Sequence, residues 1–276
     1  MTIPEHYSCP HLLENIFAAL IAAGKNPMQL TVDDLAPVDE FHTRGKHATR
    51  QLAKLANPQS SDRVLDLGCG LGGSARFLAD QFGCHVTGID ITTDYINAAT
   101  RLTELVNLQG PCAFVVGDAT QLPFPDESFD MVWTEHASMN IQDKQRLYAE
   151  VARILKPQGK FVFHDVFSVE PEQIQFPLPW ADSPEISFLI SLPQLKEHLS
   201  EANFKLSLLK GVDTSPPASA SANATTSTSS NADHPLNLGL LMGAKYADKV
   251  RNHMQNLERK STVVQMGVAI KQTSLS

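Results

Sequence analysis

The chain has 276 residues, 42% of them hydrophobic and 19% charged, with a formal net charge of −8. That length suits one or two domains around a sizeable core. The acidic balance argues against a nucleic-acid binder working by phosphate neutralisation, and no apolar run is long enough to span a bilayer.

Met1 to Pro10 lacks the basic-then-apolar order of a secretory signal. Cys9, Cys69, Cys84 and Cys112 are scattered with no C-x-x-C pair, so neither a disulfide framework nor a metal site is expected. These features predict a soluble, cytoplasmic protein without nucleic-acid or membrane partners, and leave monomer and homodimer open.

From Pro10 to about Ala56 the chain reads as helical. Leu12, Leu13, Ile16, Phe17 and Leu20 recur at helical spacing, Thr31-Val-Asp-Asp-Leu35 offers a capped start, and Leu52 and Leu55 extend an apolar stripe. From Arg63 the pattern alternates. Strands are predicted at Arg63–Leu67, Cys84–Asp90, Cys112–Asp118, Ser128–Thr134 and Gly159–Val166, with helices at Gly73–Phe82, Thr93–Val106 and Asp143–Leu155. Such alternation predicts an α/β fold, a parallel sheet covered on both faces.

Beyond Phe167 the rhythm changes. Residues 168–192 are rich in proline and aromatics and read as an ordered insertion, followed by a helix at Pro193–Glu201 and a strand at Phe204–Leu209. Asp213–Asp233 is almost purely Ser, Ala, Thr, Asn and Pro, and so is expected to be mobile. A helix is predicted from Pro235 to Glu258, its apolar face marked by Leu238, Leu241, Met242, Tyr246, Val250, Met254 and Leu257, and Thr262–Ile270 reads as a last strand. The expected organisation is an N-terminal helical lid over residues 1–56 and a core over 57–276 with insertions at 168–192 and 213–261.

The strongest local signal is Val64-Leu-Asp66-Leu-Gly68-Cys69-Gly70-Leu-Gly72-Gly73, an apolar strand running into a glycine turn and then a helix. Glycines let a ligand approach the backbone closely, and the helix N-terminus presents unpaired N–H groups. Gly68, Gly70 and Gly73 also fit the dinucleotide fingerprint G-x-G-x-x-G. Asp90 ends the next strand 22 residues after Gly68, where a carboxylate accepts hydrogen bonds from ribose hydroxyls. Together they predict a nucleoside ligand without choosing its class.

The next block is Gly117-Asp118-Ala119-Thr-Gln-Leu-Pro-Phe-Pro-Asp-Glu-Ser128-Phe-Asp130. Here the sequence resembles the class I S-adenosylmethionine-dependent methyltransferases, especially the branch of quinone-biosynthesis and small-amine enzymes. Arg153-Ile-Leu-Lys156-Pro157-Gln158-Gly159-Lys160 extends the match, with Gln158 where that family has glycine. The flanking Asp39-Glu-Phe41-His42-Thr-Arg44-Gly45, Met139-Asn140 and Phe176-Pro-Leu-Pro179-Trp180 resemble the sarcosine and dimethylglycine N-methyltransferase-like proteins.

The resemblance implies a Rossmann-like, seven-stranded, mostly parallel sheet flanked by helices, with an antiparallel hairpin strand at one edge. It also implies S-adenosylmethionine as cofactor, S-adenosylhomocysteine as product, and a cofactor set of Asp66, Gly68, Cys69, Gly70, Asp90, Ile91, Asp118, Ala119 and Glu135. In it the glycine loop seats the methionine moiety, Asp90 the ribose and Asp118 the adenine. His136, just past the fourth strand, is the candidate base. His42, Arg44, Asn140 and Trp180 are candidate substrate contacts, and His164 and Asp165 end the fifth strand near the same crevice.

The expected reaction is methyl transfer to a small-molecule acceptor, in the first place an amino-acid or amine nitrogen of the sarcosine and dimethylglycine type. C- or O-methylation of a quinone-like or other hydrophobic molecule is the alternative. From other classes, a non-catalytic S-adenosylmethionine-binding protein or an NAD-dependent oxidoreductase also fits the glycine loop.

Overall fold

The computed structural model describes residues 3–7, 9–214 and 237–273, and the Ser/Ala/Thr stretch expected to be mobile lies, from residue 215 on, outside the described residues. The strands are β1 (Arg63–Leu67), β2 (His85–Asp90), β3 (Cys112–Val116), β4 (Phe129–Glu135), β5 (Leu155–Ser168), β6 (Phe204–Gly211) and β7 (Thr262–Lys271). They form one sheet in the order β3-β2-β1-β4-β5-β7-β6. Strands β1 to β5 pair in parallel, and β7 runs antiparallel to both neighbours. The antiparallel strand is therefore not the edge strand the sequence led one to expect. It lies between β5 and β6, with nine residue pairs on the β5 side alone.

The helices are α1 (Ile3–Tyr7), α2 (Leu12–Ala22), α3 (Val32–Asp39), α4 (Gly45–Ala56), α5 (Gly73–Phe82), α6 (Thr93–Leu105), α7 (Lys144–Ile154), α8 (Leu192–Glu201), α9 (Gly239–Met242) and α10 (Tyr246–Glu258). Among the described residues none is long and apolar enough to cross a membrane. Helix α3 starts on the expected signal: Thr31 and Asp34 form a reciprocal capping box.

Strand alternation sorts side chains onto two covered faces. Leu65 and Leu67 of β1 join one core with Leu147, Val151 and Leu195 of α7 and α8, while Val64 joins the other with Leu52 of α4 and Leu78 of α5. The N-terminal cap adds a third cluster, in which Leu12, Ile16, Leu35 and Val38 pack on Leu71, Tyr95 and Leu102. A buried ion pair fastens this cap: Arg76 of α5 donates to Asp39 Oδ2 at 2.6 Å, to Leu71 O at 2.7 Å and to Thr103 Oγ1 at 2.9 Å.

Two local expectations change. Gln158, at the family's glycine position, adopts φ 63° and lies inside β5 instead of in a turn before it, where the register against β4 is irregular between Phe129 and Met131. The helix expected from Pro235 to Glu258 is broken at Gly243 (φ 67°). Leu240 and Leu241 of α9 pack on the cap cluster, but α10 turns a polar face inward, burying Lys249, His253 and Asn256. Burial of that face is compensated by partners from distant segments: Lys249 Nζ lies 2.9 Å from Asp182, Thr43 Oγ1 3.0 Å from His253 Nε2, and Asn256 bonds the backbone of Gln175 at both its N–H and its C=O. The apolar residues expected to face the core along α10 are instead only partly buried.

Candidate functional site

The strand order reverses between β1 and β4, and ligands of open α/β sheets bind outside the carboxyl ends of the strands at such a reversal. A cavity of about 380 Å³ opens there. Its wall includes all nine residues of the expected cofactor set, Asp66, Gly68, Cys69, Gly70, Asp90, Ile91, Asp118, Ala119 and Glu135. His42, His136 and Asn140 also line it, whereas Arg44 and Trp180 do not.

At one end the glycine turn is held by the neighbouring strand. Gly68 and Cys69 donate to Ile89 O at 2.8 and 3.1 Å, and Gly70 N donates to Asp90 Oδ2 at 3.0 Å. Asp90 Oδ1 accepts from Thr92 N at 2.8 Å, so this carboxylate joins the turn after β1 to the start of α6. Burial raises its pKa despite these bonds. Gly68 has φ 71°, and a Cβ there would stand 2.3 Å from Ala137 Cβ; over Gly70 the space is open to 4 Å. Asp118 is exposed and folds back on its own turn, accepting from Thr120 N and Oγ1.

Asp66 lies deeper. Burial and the charge of Glu135 push its carboxyl up to about 8, and its Oδ2 has no hydrogen-bond partner among the described residues. Such an acid is uncharged near neutral pH and ionises when a cation is placed beside it.

Glu135 ends β4 and sits in register beside His164 of β5. Its Oε2 accepts from Ser74 Oγ at 2.7 Å and Trp133 Nε1 at 3.0 Å, and its Oε1 lies 3.2 Å from His164 Nδ1. His42 reaches the same carboxylate from the cap, with Nε2 3.6 Å from Glu135 Oε1 and 2.8 Å from Glu40 Oε2. Burial alone would lower the His42 pKa, but Glu135 and Glu40 raise it to about 9. Burial likewise opposes ionisation of Glu135, and the His42 charge with the His164 hydrogen bond brings it to about 2. His42, Glu135 and His164 also place one nitrogen or oxygen each within 4.8 Å of one another, a spacing a metal ion accepts, but the same atoms are engaged in this hydrogen-bond network.

His136 follows directly. Its φ of 53° is uncommon for a side chain of this size, and its N–H is tied to His164 O at 2.8 Å. Its ring centroid lies 4.7 Å from that of His164 and 6.0 Å from that of His42. Burial, then the neighbouring histidines, hold its pKa well below the ordinary value, so the ring is neutral, and Nε2 has no partner among the described residues.

The remaining candidates brace the site. Asn140 accepts from Tyr7 OH at 2.8 Å and donates to Trp180 O at 2.8 Å, linking α1 to the 168–192 insertion. Trp180 is buried, donates from Nε1 to Ser187 Oγ and meets the His253 ring edge-on. Arg44 occupies the N-cap of α4. Asp165 accepts from Ser138 N, and Lys144 Nζ donates to the carbonyls of Ser138, Ile141 and Phe188, which together fix the turn after His136. Tyr7, Glu40 and Ser74 belong to the site and were not singled out from the sequence.

A family model described as "Methyltransferase domain" matches residues 65–163. The chain is 32% identical over 129 residues to the glycine/sarcosine/dimethylglycine N-methyltransferase of Actinopolyspora halophila, covering 47% of this chain and 23% of that protein. It is 38% identical over 144 residues to the 2-methyl-6-phytyl-1,4-hydroquinone methyltransferase of Synechocystis, covering 52% and 44%. The alignments thus span less than half the length of either relative. In three dimensions it resembles the Haemonchus contortus phosphoethanolamine N-methyltransferase 2 solved with S-adenosyl-L-methionine, with TM-score 0.68 and 19% identity over 99% of this chain and 60% of that one. Set beside the strand order and the glycine turn, these matches show that residues 65–163 are similar to a methyltransferase domain and that the chain has the Rossmann-like fold of its structural neighbours.

Proposed function

We propose that the chain transfers a methyl group from S-adenosylmethionine to a small organic acceptor. The observation that carries this reading is the convergence of all nine expected cofactor residues on one cavity at the β1/β4 reversal. The site fits the cofactor chemically. An open backbone cradle lies at Gly70, the Asp90 carboxylate stands at a strand end where ribose hydroxyls are met, and the unpartnered buried Oδ2 of Asp66 suits an ammonium group.

Bound S-adenosylmethionine supplies a methyl group already activated on a sulfonium. What the chain's own residues add is alignment and exclusion of water, effects worth roughly 7–11 kcal/mol in favourable cases. Helix α1 contributes Ile3 and Tyr7 to the wall, and Phe41 and His42 close it from the cap. The neutral His136, with Nε2 unpartnered, is placed to orient the acceptor and to take the proton that leaves it. Relatives named for N-methylation and for hydroquinone methylation support a small organic acceptor.

The test is calorimetric titration with S-adenosylhomocysteine, with NADH run in parallel. Binding of S-adenosylhomocysteine alone, weakened by Asp90→Ala, is expected; binding of NADH alone would make the glycine loop a dinucleotide site.

A further inference from the structure

We infer, building on the methyltransferase reading, that the acceptor carries no carboxylate or phosphate: the subsite takes an uncharged or cationic molecule. The inference comes from what surrounds the cavity. Among the described residues that line it none is lysine or arginine, while six are carboxylic acids, Asp39, Asp66, Asp90, Asp118, Glu135 and Asp143. The residues outside the description (1, 2, 8, 215–236 and 274–276) include no lysine or arginine either.

Basic side chains beside the wall are engaged, Arg146 donating from Nε to Thr120 O at 3.0 Å. Arg76 is closed on Asp39, and Lys144 Nζ is surrounded by three carbonyl oxygens. His42 bears a charge, but two carboxylates, Glu40 and Glu135, stand against it.

Four of the backbone donors at the acceptor end are already taken. The N–H groups of His136, Ser138, Asn140 and Ile141 are bonded to His164 O, Asp165 Oδ2, Ala137 O and Ser138 O. Helix α7 begins there, but Asp143 already occupies its N-terminus, accepting from Arg146 N at 2.8 Å. The acceptor end thus differs from the glycine-loop end, where the N-terminus of α5 can meet the cofactor's own carboxylate. A buried anion without a counter-charge is strongly disfavoured, and among the unpartnered polar groups on the wall Tyr95 OH and His136 Nε2 belong to neutral side chains. Amino-acid and phosphate-ester acceptors, such as those printed in the names of several relatives, lack a partner here.

The test uses the full chain saturated with S-adenosylhomocysteine and two probe pairs read by calorimetry: sarcosine against sarcosinamide, and 2,5-dihydroxybenzoate against methylhydroquinone. Within at least one pair the member lacking the carboxylate is expected to bind about tenfold or more tighter, the scale of an unpaired buried charge. Ile141→Arg, which places a cation on the wall, is expected to raise carboxylate affinity by about tenfold while leaving S-adenosylhomocysteine affinity within about twofold. A carboxylate binding as tightly as its partner in the unmodified chain overturns the inference, as does the failure of both uncharged or cationic members to bind. Discrimination unchanged in Ile141→Arg would assign it to shape and also overturn it. Failure to bind S-adenosylhomocysteine at the outset would instead count against the methyltransferase reading itself.

Discussion

Nε2 of His42 lies 3.6 Å from Oε1 of Glu135, so the N-terminal cap meets the end of β4 through a buried pair of opposite charges. The pair makes stability depend on pH in a defined direction. His42 is raised from its ordinary 6.5 to about 9, so its contribution is complete below about pH 6.5 and is lost as pH rises through 9. Thermal denaturation followed between pH 6 and 10 is expected to show this loss, on the order of 3 kcal/mol. His42→Gln should remove that part of the slope. An unchanged slope in the variant would show that His42 does not carry the charge.

Asp66 is the counterpart at the cofactor end. Because its carboxyl is held at about 8, it is protonated at pH 7, and an ammonium group arriving beside it should ionise it. Titration of S-adenosylhomocysteine at pH 7 in two buffers of different ionisation enthalpy is expected to reveal release of about one proton. Asp66→Asn should abolish the release. Equal heats in both buffers for the unmodified chain would rule this out.

Gly68 and Gly70 both have positive φ, but only Gly68 is crowded, by Ala137. Gly68→Ala is expected to cost about 2–4 kcal/mol of stability, from left-handed strain plus overpacking, and Gly70→Ala about 1–2 from strain alone. Denaturant midpoints compare them directly. Equal losses would refute the collision with Ala137.

Arg76 should matter more than any surface charge. Arg76→Met leaves Asp39 buried without its partner, a change that typically costs about 3–5 kcal/mol. Asp39 is held at about 6 by burial, even against Arg76. The loss should therefore be larger at pH 8 than at pH 5, and adding Asp39→Asn should recover part of it at pH 8. Full stability of the single variant at pH 8 would show that the ion pair does not hold the cap.

The residues legible in the sequence are those whose partners are near in the chain. The run Arg63–Leu67 into Gly73–Phe82 was bounded as observed because an apolar strand, a glycine turn and a helix start follow one another without interruption. The capping box of Thr31 and Asp34 is likewise local. The inward polar face of α10 was not legible. His253 and Asn256 find Thr43 and Gln175 across 210 and 81 residues, and hydropathy alone turns such a helix the other way round. The grouping of His42, His136 and His164 depends on the parallel register of β4 and β5 and on the cap folding back, which no single segment encodes. Tyr7 was invisible for another reason: a five-residue helix has no period to read.

The placement of β7 also orders events in time as the polypeptide is synthesised. Strand β6 has no ladder except the one it makes with β7, so it must wait until residues 262–271 have been added. By contrast, β1 to β5 already adjoin one another in the order β3-β2-β1-β4-β5, and the cofactor residues lie on them or in the turns that follow them. A nascent chain can therefore assemble its nucleoside end on the ribosome well before α10 arrives to cover the 174–182 loop. In the life of each molecule, the strands that carry the cavity come before the antiparallel pair that completes the sheet.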